Sequence, residues 1–123
     1  MKSILATALA VALFSSGAVH AHSDAKPQHG GVVSVASDLT FELTAEPKGA
    51  AIYVGDHGKP VDVAKMSGKL TVLNGTQKSE AALAPAGANK LVASGIKLDK
   101  GAKAVAAVQI ATGKTITVRF TNK

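Results

Sequence analysis

Alternation of apolar and polar side chains with a period of two constrains the fold of this chain more than any other feature. It is clearest in the run LTFELTAE, residues 39–46, where apolar residues fall on one face and Thr or Glu on the other. This alternation predicts a half-buried strand, because successive side chains of a strand point to opposite faces. Similar runs predict further strands at 31–36, 50–54, 69–73, 76–84, 104–111 and 114–121.

Glycine-containing turns separate these runs. Asn74-Gly75 lies between two of them and predicts a hairpin with a type I′ turn, in which both central residues need a positive φ. Thr112-Gly113 predicts a second hairpin near the end of the chain. Seven or eight short strands in roughly 90 residues predict an all-β fold, namely a small antiparallel β-sandwich of immunoglobulin-like type. A small closed β-barrel is the alternative.

Two alanine-rich segments, 78–84 and 102–111, favour a helix by composition, because alanine has the highest helix propensity. The second segment is bracketed by Gly101 and Gly113, which leaves a run that is short for a helix, and a clear strand follows it. We therefore predict strands in both places.

The first 21 residues predict export. Lys2 provides a positive start, residues 4–14 form an apolar stretch, and Val19 and Ala21 fit the small residues required before a cleavage site. The apolar stretch is too short to span a bilayer, which takes about 20 residues. We therefore expect a cleaved signal peptide, a secreted protein in the periplasm and a mature chain that begins at His22.

The mature chain is then expected to have two parts. Residues 22–30, HSDAKPQHG, are polar and interrupted by proline and glycine, which predicts a flexible arm that contains histidine. Residues 31–123 form the single β-sandwich domain. Cleavage after Ala18 or after Ala25 is an alternative, and the second of these would remove His22 from the mature protein.

The composition excludes several functional classes. The chain has no cysteine, so disulfides and thiolate metal sites are excluded. Its basic residues are spread singly and aromatic residues are few, so we expect no nucleic-acid partner. The sequence lacks a G-x-S-x-G elbow, a marked pair of carboxylates and a glycine-rich phosphate loop, so we expect no enzymatic activity.

Histidine supplies the candidate metal ligands. We predict a site formed by His22, His29 and His57, with the carboxylate of Asp56 beside them. Imidazole suits Cu(II), Zn and Ni, and carboxylates complete such sites, so copper is expected first and zinc, nickel or cobalt next. At a mature N-terminus, His22 would add an α-amine that binds Cu(II) together with its own imidazole. Taken singly, each histidine is also typical of a polar tail or a surface turn.

Four short segments carry a resemblance to a known family: PQHGGVV at 27–33, LTFEL at 39–43, IYVGDHGKP at 52–60 and GKTITVRF at 113–120. With them the chain resembles small periplasmic proteins that accompany heavy-metal efflux and resistance systems in Gram-negative bacteria. It is also similar to the β-domain that precedes some metal-efflux adaptor subunits, in which an H-G-G start and a D-G-K-P turn recur. The resemblance implies a metal context and places His29 at the H-G-G position, whereas His57 is an insertion into the turn.

Together these observations predict a monomeric periplasmic protein that binds a divalent transition metal ion. It would buffer the metal or deliver it to an efflux or resistance system, with a periplasmic efflux adaptor subunit as the candidate partner and no stable insertion into the membrane. The alternative is a metal-free interaction module that docks on an efflux or envelope complex through a sheet edge or its Gly/Lys turns. Metal binding should depend on His22 and His29, whereas docking should tolerate their loss.

Overall fold

The computed structural model describes residues 26–123, so the predicted signal peptide and His22 lie outside the described residues. Within this range, no helix is long and apolar enough to cross a membrane. The chain forms strands throughout: β1 (Val32–Ala36), β2 (Leu39–Glu46), β3 (Gly49–Asp56), β4 (Lys59–Pro60), β5 (Ser67–Asn74), β6 (Gln77–Pro85), β7 (Lys90–Ser94), β8 (Lys103–Gln109) and β9 (Thr115–Thr121).

The strands form one antiparallel sheet that is nearly closed into a barrel. Its order is β1-β2-β3-β7-β6-β5-β8-β9, and β4 pairs with the end of β3. The two ends of this order lie side by side, where the Ser34 hydroxyl in β1 donates a hydrogen bond of 2.5 Å to the carbonyl oxygen of Arg119 in β9. The predicted all-β fold is confirmed, and its closure is that of the small-barrel alternative.

Alternation along each strand fills the interior. In β2, Phe41 and Leu43 are fully buried, and in β9 the buried residues are Ile116, Val118 and Phe120, each flanked by exposed neighbours. In β8 and β9 this pattern buries one face, as the period of two predicts, whereas β2 and β3 are buried on both faces over part of their length. The alanine-rich segments form β6 and β8, so the prediction of strands in both places is confirmed.

The hairpin at Asn74 forms, but the predicted turn residues are wrong by one position. Asn74 pairs with Gln77, so the central residues of the turn are Gly75 and Thr76. Among these residues only Gly75 has a positive φ, 63°, which matches a type II′ turn rather than type I′. Asn74 stays in the strand, and its side-chain amide binds the backbone of the loop 97–99 through Lys97 O at 2.9 Å and Asp99 N at 3.0 Å.

Strands β4 and β7 are additional to those expected from the sequence. β7 pairs with β3 on one side and with β6 on the other, so it joins the two halves of the sheet. Its inward residues, Leu91 and Ala93, are fully buried. β4 is a two-residue strand that follows the turn after β3 and shapes the candidate site.

Candidate functional site

Glu42 is the centre of the candidate site. It lies on the outer face of β2, where alternation predicts exposure to solvent, yet it is only 6% exposed because residues 28–31 cover it. One carboxylate oxygen accepts hydrogen bonds from the backbone N–H of Gln28 at 2.9 Å and from His29 Nδ1 at 3.0 Å. The other oxygen accepts from the N–H groups of His29 at 2.8 Å and Gly31 at 2.9 Å. Four donors therefore satisfy a buried charge that would otherwise be costly.

These donors keep Glu42 ionised. Burial raises the pKa of its carboxyl group, because the charged form loses solvation. The backbone N–H groups of Gln28, Gly31 and His29 and the His29 side chain lower it by more, so the pKa of Glu42 lies below its ordinary value. An ionised carboxylate is only an acceptor, so Nδ1 of His29 carries a proton and donates.

The His29 ring is held on two sides. Its imidazole stacks on the ring of Tyr53, with centroids 3.6 Å apart and planes 3° from parallel. Tyr53 lies directly opposite Glu42 in the β2–β3 pairing, and Lys90 lies opposite Tyr53 in the β3–β7 pairing. The Lys90 ammonium contacts both the Tyr53 ring, 5.6 Å from its centroid, and Glu46 at 3.5 Å. A row of cross-strand neighbours thus fixes the imidazole while leaving the His29 side chain 37% exposed.

The second histidine, His57, lies in the turn between β3 and β4. Asp56 pairs with Lys59, and the two residues between them, His57 and Gly58, have φ values of 51° and 84°. Both are positive, as a type I′ turn requires, and histidine is among the residues that tolerate this conformation. The Nδ1 atom of His57 lies 2.5 Å from a carboxylate oxygen of Asp56, and the His57 side chain is 84% exposed.

Both histidines line one open groove on the outer face of β1–β3, with a volume of about 620 Å³. Segment 26–29 contributes to its wall, and so does the turn 57–60. The remaining lining residues are Val33, Val35, Asp38, Thr40, Glu42, Tyr53, Val54, Gly55 and Asn89. The fold therefore brings together two of the predicted ligands that are 28 residues apart in the sequence.

The described residues form a partial ligand set. Within residues 26–123, no group of three or more His, Asp or Glu side chains stands ready to hold a metal ion. Asp56, which we predict as a ligand, is hydrogen-bonded to the His57 ring. His22 lies outside the described residues. Gln28 and His29, at the end of the segment predicted to be a flexible arm, are held on Glu42.

The two imidazoles share one chemical arrangement. His29 places its Nδ1 on the carboxylate of Glu42, and His57 places its Nδ1 on that of Asp56. In the described part of the chain, the Nε2 atom of neither ring takes part in a hydrogen bond. Metal-binding histidines typically use one ring nitrogen for the metal and direct the other at a carboxylate, which fixes the tautomer and the ring.

Sequence reasoning did not single out Glu42 or Tyr53. The alternation in β2 places Glu42 on the polar face, and nothing near it in the sequence indicates that a segment 11 to 14 residues away covers it. Tyr53 is one of only three aromatic residues in the predicted mature chain, which is the one signal that marks it.

Comparison with known family models, characterised proteins and solved structures finds no match for this chain. The resemblance to proteins of metal-efflux systems, carried by short motifs, therefore stays a prediction.

Proposed function

We propose that this protein is exported to the periplasm, binds a divalent transition metal ion, and buffers it or delivers it to an efflux or resistance system. Copper is proposed first, with zinc, nickel or cobalt next. The observation that supports this is that two imidazoles, those of His29 and His57, line one groove, each with a carboxylate on its Nδ1. In this arrangement Nε2 is the nitrogen that a metal would take, and the carboxylate makes it a better donor.

Two imidazoles are fewer than the four ligands typical of a complete protein site. The proposal therefore needs the residues that precede the described chain. Lys26 lines the groove, and three residues separate it from His22, so that the four Cα–Cα steps between them span at most about 14 Å. If the chain is cleaved after Ala21, the imidazole and α-amine of His22 are within reach of the groove.

An incomplete and open site suits transfer better than storage. Groove-lining His57 is almost fully exposed, so an incoming ligand from another protein has free access to a metal held there. A ligand set completed by a chain terminus also opens without any rearrangement of the barrel. Both features favour an exchangeable metal over a resident cofactor.

The proposal is tested by titrating the exported, processed protein with Cu(II), Zn(II), Ni(II) and Co(II). His29→Ala and His57→Ala should each weaken Cu(II) binding by about tenfold or more, since the loss of partners one shell further out already costs 10- to 100-fold. Lys59→Ala is the matched control, because it removes a groove side chain that is no ligand, and it should not weaken binding. Binding that survives both histidine substitutions would overturn the proposal and favour the metal-free docking module.

The part assigned to His22 has its own test. The intact mass of the exported protein should correspond to a chain that starts at His22. A mass that starts at Lys26 would show that the N-terminal chelate does not exist, and the two described imidazoles would then be the only histidine ligands.

A further inference from the structure

The barrel is electrostatically asymmetric. Strands β5, β6, β8 and β9, with the loops between β7 and β8 and between β8 and β9 and the residues after β9, carry two acidic side chains, Glu80 and Asp99. The same half carries eight basic side chains: Lys69, Lys78, Lys97, Lys100, Lys103, Lys114, Arg119 and Lys123. The rest of residues 26–123 carries five basic and five acidic side chains. The net positive charge of the described chain thus belongs to one half of the barrel.

Strand register concentrates this charge on one face. Leu73 in β5 pairs with Lys78 in β6 on one side and with Lys103 in β8 on the other. In the next outward-facing row, Val105 in β8 pairs with Arg119 in β9. Leu73 is 41% exposed, one of the two large hydrophobic side chains that are exposed in the described chain. We call the outer surface formed by Lys69, Lys78, Lys103, Arg119, Leu73 and Val105 the basic face.

Little of this charge is neutralised within the described chain. Glu80 lies 3.7 Å from both Lys69 and Lys78, and these side chains are exposed, so such pairs contribute little. No acidic side chain of residues 26–123 forms an ion pair with Lys103 or Arg119. With four cations and Glu80 as their acidic neighbour, the basic face therefore presents a net positive field to solvent.

Two asparagines hold a lysine-containing loop at one end of the basic face. The side chain of Asn74, which follows Leu73, binds the backbone at Lys97 and Asp99, and Asn122 Nδ2 donates to the carbonyl oxygen of Asp99 at 2.8 Å. These bonds hold the loop 95–102, with its lysines, beside the end of β5. The loop is thus fixed as part of the charged surface.

We propose that the basic face docks the protein on a membrane surface rich in anionic lipid. Lysine supplies seven of the eight cations in this half, and a compact ammonium suits the diffuse charge of lipid headgroups, each such residue strengthening adsorption about fivefold. Protein interfaces are depleted in lysine and enriched in aromatic residues, whereas Phe120, the aromatic residue nearest this face, is buried. Leu73, flanked by two lysines, is placed to enter the headgroup layer.

Docking in this way leaves the histidine groove free. The groove lies on the outer face of β1–β3, and the basic face is centred on β5 and β8. In the strand order, β5 is four strands away from β2 whichever way the barrel is followed, so the two surfaces lie on opposite sides. A protein adsorbed through the basic face would hold the groove away from the membrane, open to metal or to a partner.

The test is sedimentation of the exported, processed protein with vesicles of phosphatidylglycerol and phosphatidylcholine, compared with pure phosphatidylcholine. Binding should require the anionic lipid and fall steeply with added salt. The variant with both Lys78→Gln and Lys103→Gln should bind the anionic vesicles about 20- to 30-fold more weakly. The variant with both Lys26→Gln and Lys59→Gln loses the same charge from the groove side of the barrel, opposite the basic face, and should bind within about twofold of the unchanged protein.

Three results would overturn the proposal. They are no binding to anionic vesicles at low salt, equal loss of binding in the two double variants, and stronger binding to soluble polyglutamate than to vesicles. The last result would assign the face to an acidic protein segment instead. Leu73→Ser separates the cases further, because it should weaken vesicle binding severalfold and leave polyglutamate binding unchanged.

Discussion

Replacing Glu42 by glutamine tests whether a buried carboxylate holds the start of the domain in place. Each carboxylate oxygen of Glu42 accepts two hydrogen bonds from residues 28–31. Glutamine keeps one of these oxygens and replaces the other with an NH₂ group, which is itself a donor. Two of the four donors then face a donor at a position that is nearly buried.

The expected loss of unfolding free energy follows from the two hydrogen bonds that glutamine cannot accept. Hydrogen bonds to a charged group contribute about 1.5–3 kcal/mol each, so the loss of two would cost about 3–6 kcal/mol if the segment stayed in place. Residues 28–31 can instead leave the sheet and bind water, which limits the loss. We therefore expect Glu42→Gln to lower the free energy of unfolding by about 2–4 kcal/mol, a large part of the 5–15 kcal/mol typical of a domain.

Urea denaturation and amide hydrogen exchange measure the two consequences separately. The midpoint should fall, and the N–H groups of Gln28, His29 and Gly31 should lose protection against exchange. Glu46→Gln is the matched control, since it makes the same change four residues further along β2, where the carboxylate is half-buried and, among residues 26–123, hydrogen-bonds only to Lys90 and Thr44. The control should cost about 0–1 kcal/mol. If exchange at the three amides is unchanged in Glu42→Gln, our account of the site is wrong.

Three further predictions concern local structure. Gly75→Val should destabilise the protein by about 1–2 kcal/mol because Gly75 has a positive φ with open space around it, whereas Thr76→Val in the same turn should not. If the two variants unfold at the same urea concentration, the turn assignment is wrong. Gly31→Ala should cost about 1–3 kcal/mol, because a Cβ there would collide with the carbonyl oxygen of Leu43, and unchanged stability would mean that the segment lies elsewhere. Because folding lowers the pKa of Glu42 below 4.5, the stability that the ionised carboxylate gives the fold should be fully present above that pH and be lost as pH falls through the lowered pKa. If the unchanged protein and Glu42→Gln still differ in stability in strong acid, this prediction is wrong.

The sequence predicts the strands well where apolar and polar side chains alternate along the chain. The bounds of β2 follow from alternation alone, since Phe41 and Leu43 point inward and their neighbours do not. β7 escapes this reasoning because it is five residues long, with only Leu91 as a large buried side chain, and owes its place to pairing with β3 and β6. Pairing between distant segments leaves no local pattern in a single sequence.

For the candidate site too, the sequence predicts some features, and others depend on contacts between distant residues. His29 and His57 can be identified from residue type, and the fold brings them to one groove. Their positions depend on contacts that composition does not reveal, namely the cover over Glu42 and the stacking of His29 on Tyr53. The positive φ at His57 depends on the pairing of β3 with β4, a two-residue strand too short to produce a period.

The central claim, a metal ion held in the histidine groove, is tested most directly by substoichiometric Cu(II) added to ¹⁵N-labelled exported, processed protein. Paramagnetic broadening acts only close to the ion, so it maps the site without assuming any ligand. Our account predicts that broadening concentrates on residues 26–31 and 55–60, with Tyr53 affected through its stacking on His29. It further predicts that the pattern weakens as the solution is made more acidic, since imidazole binds metal only when neutral. Broadening centred elsewhere on the barrel, or none at all at neutral pH, would contradict the claim.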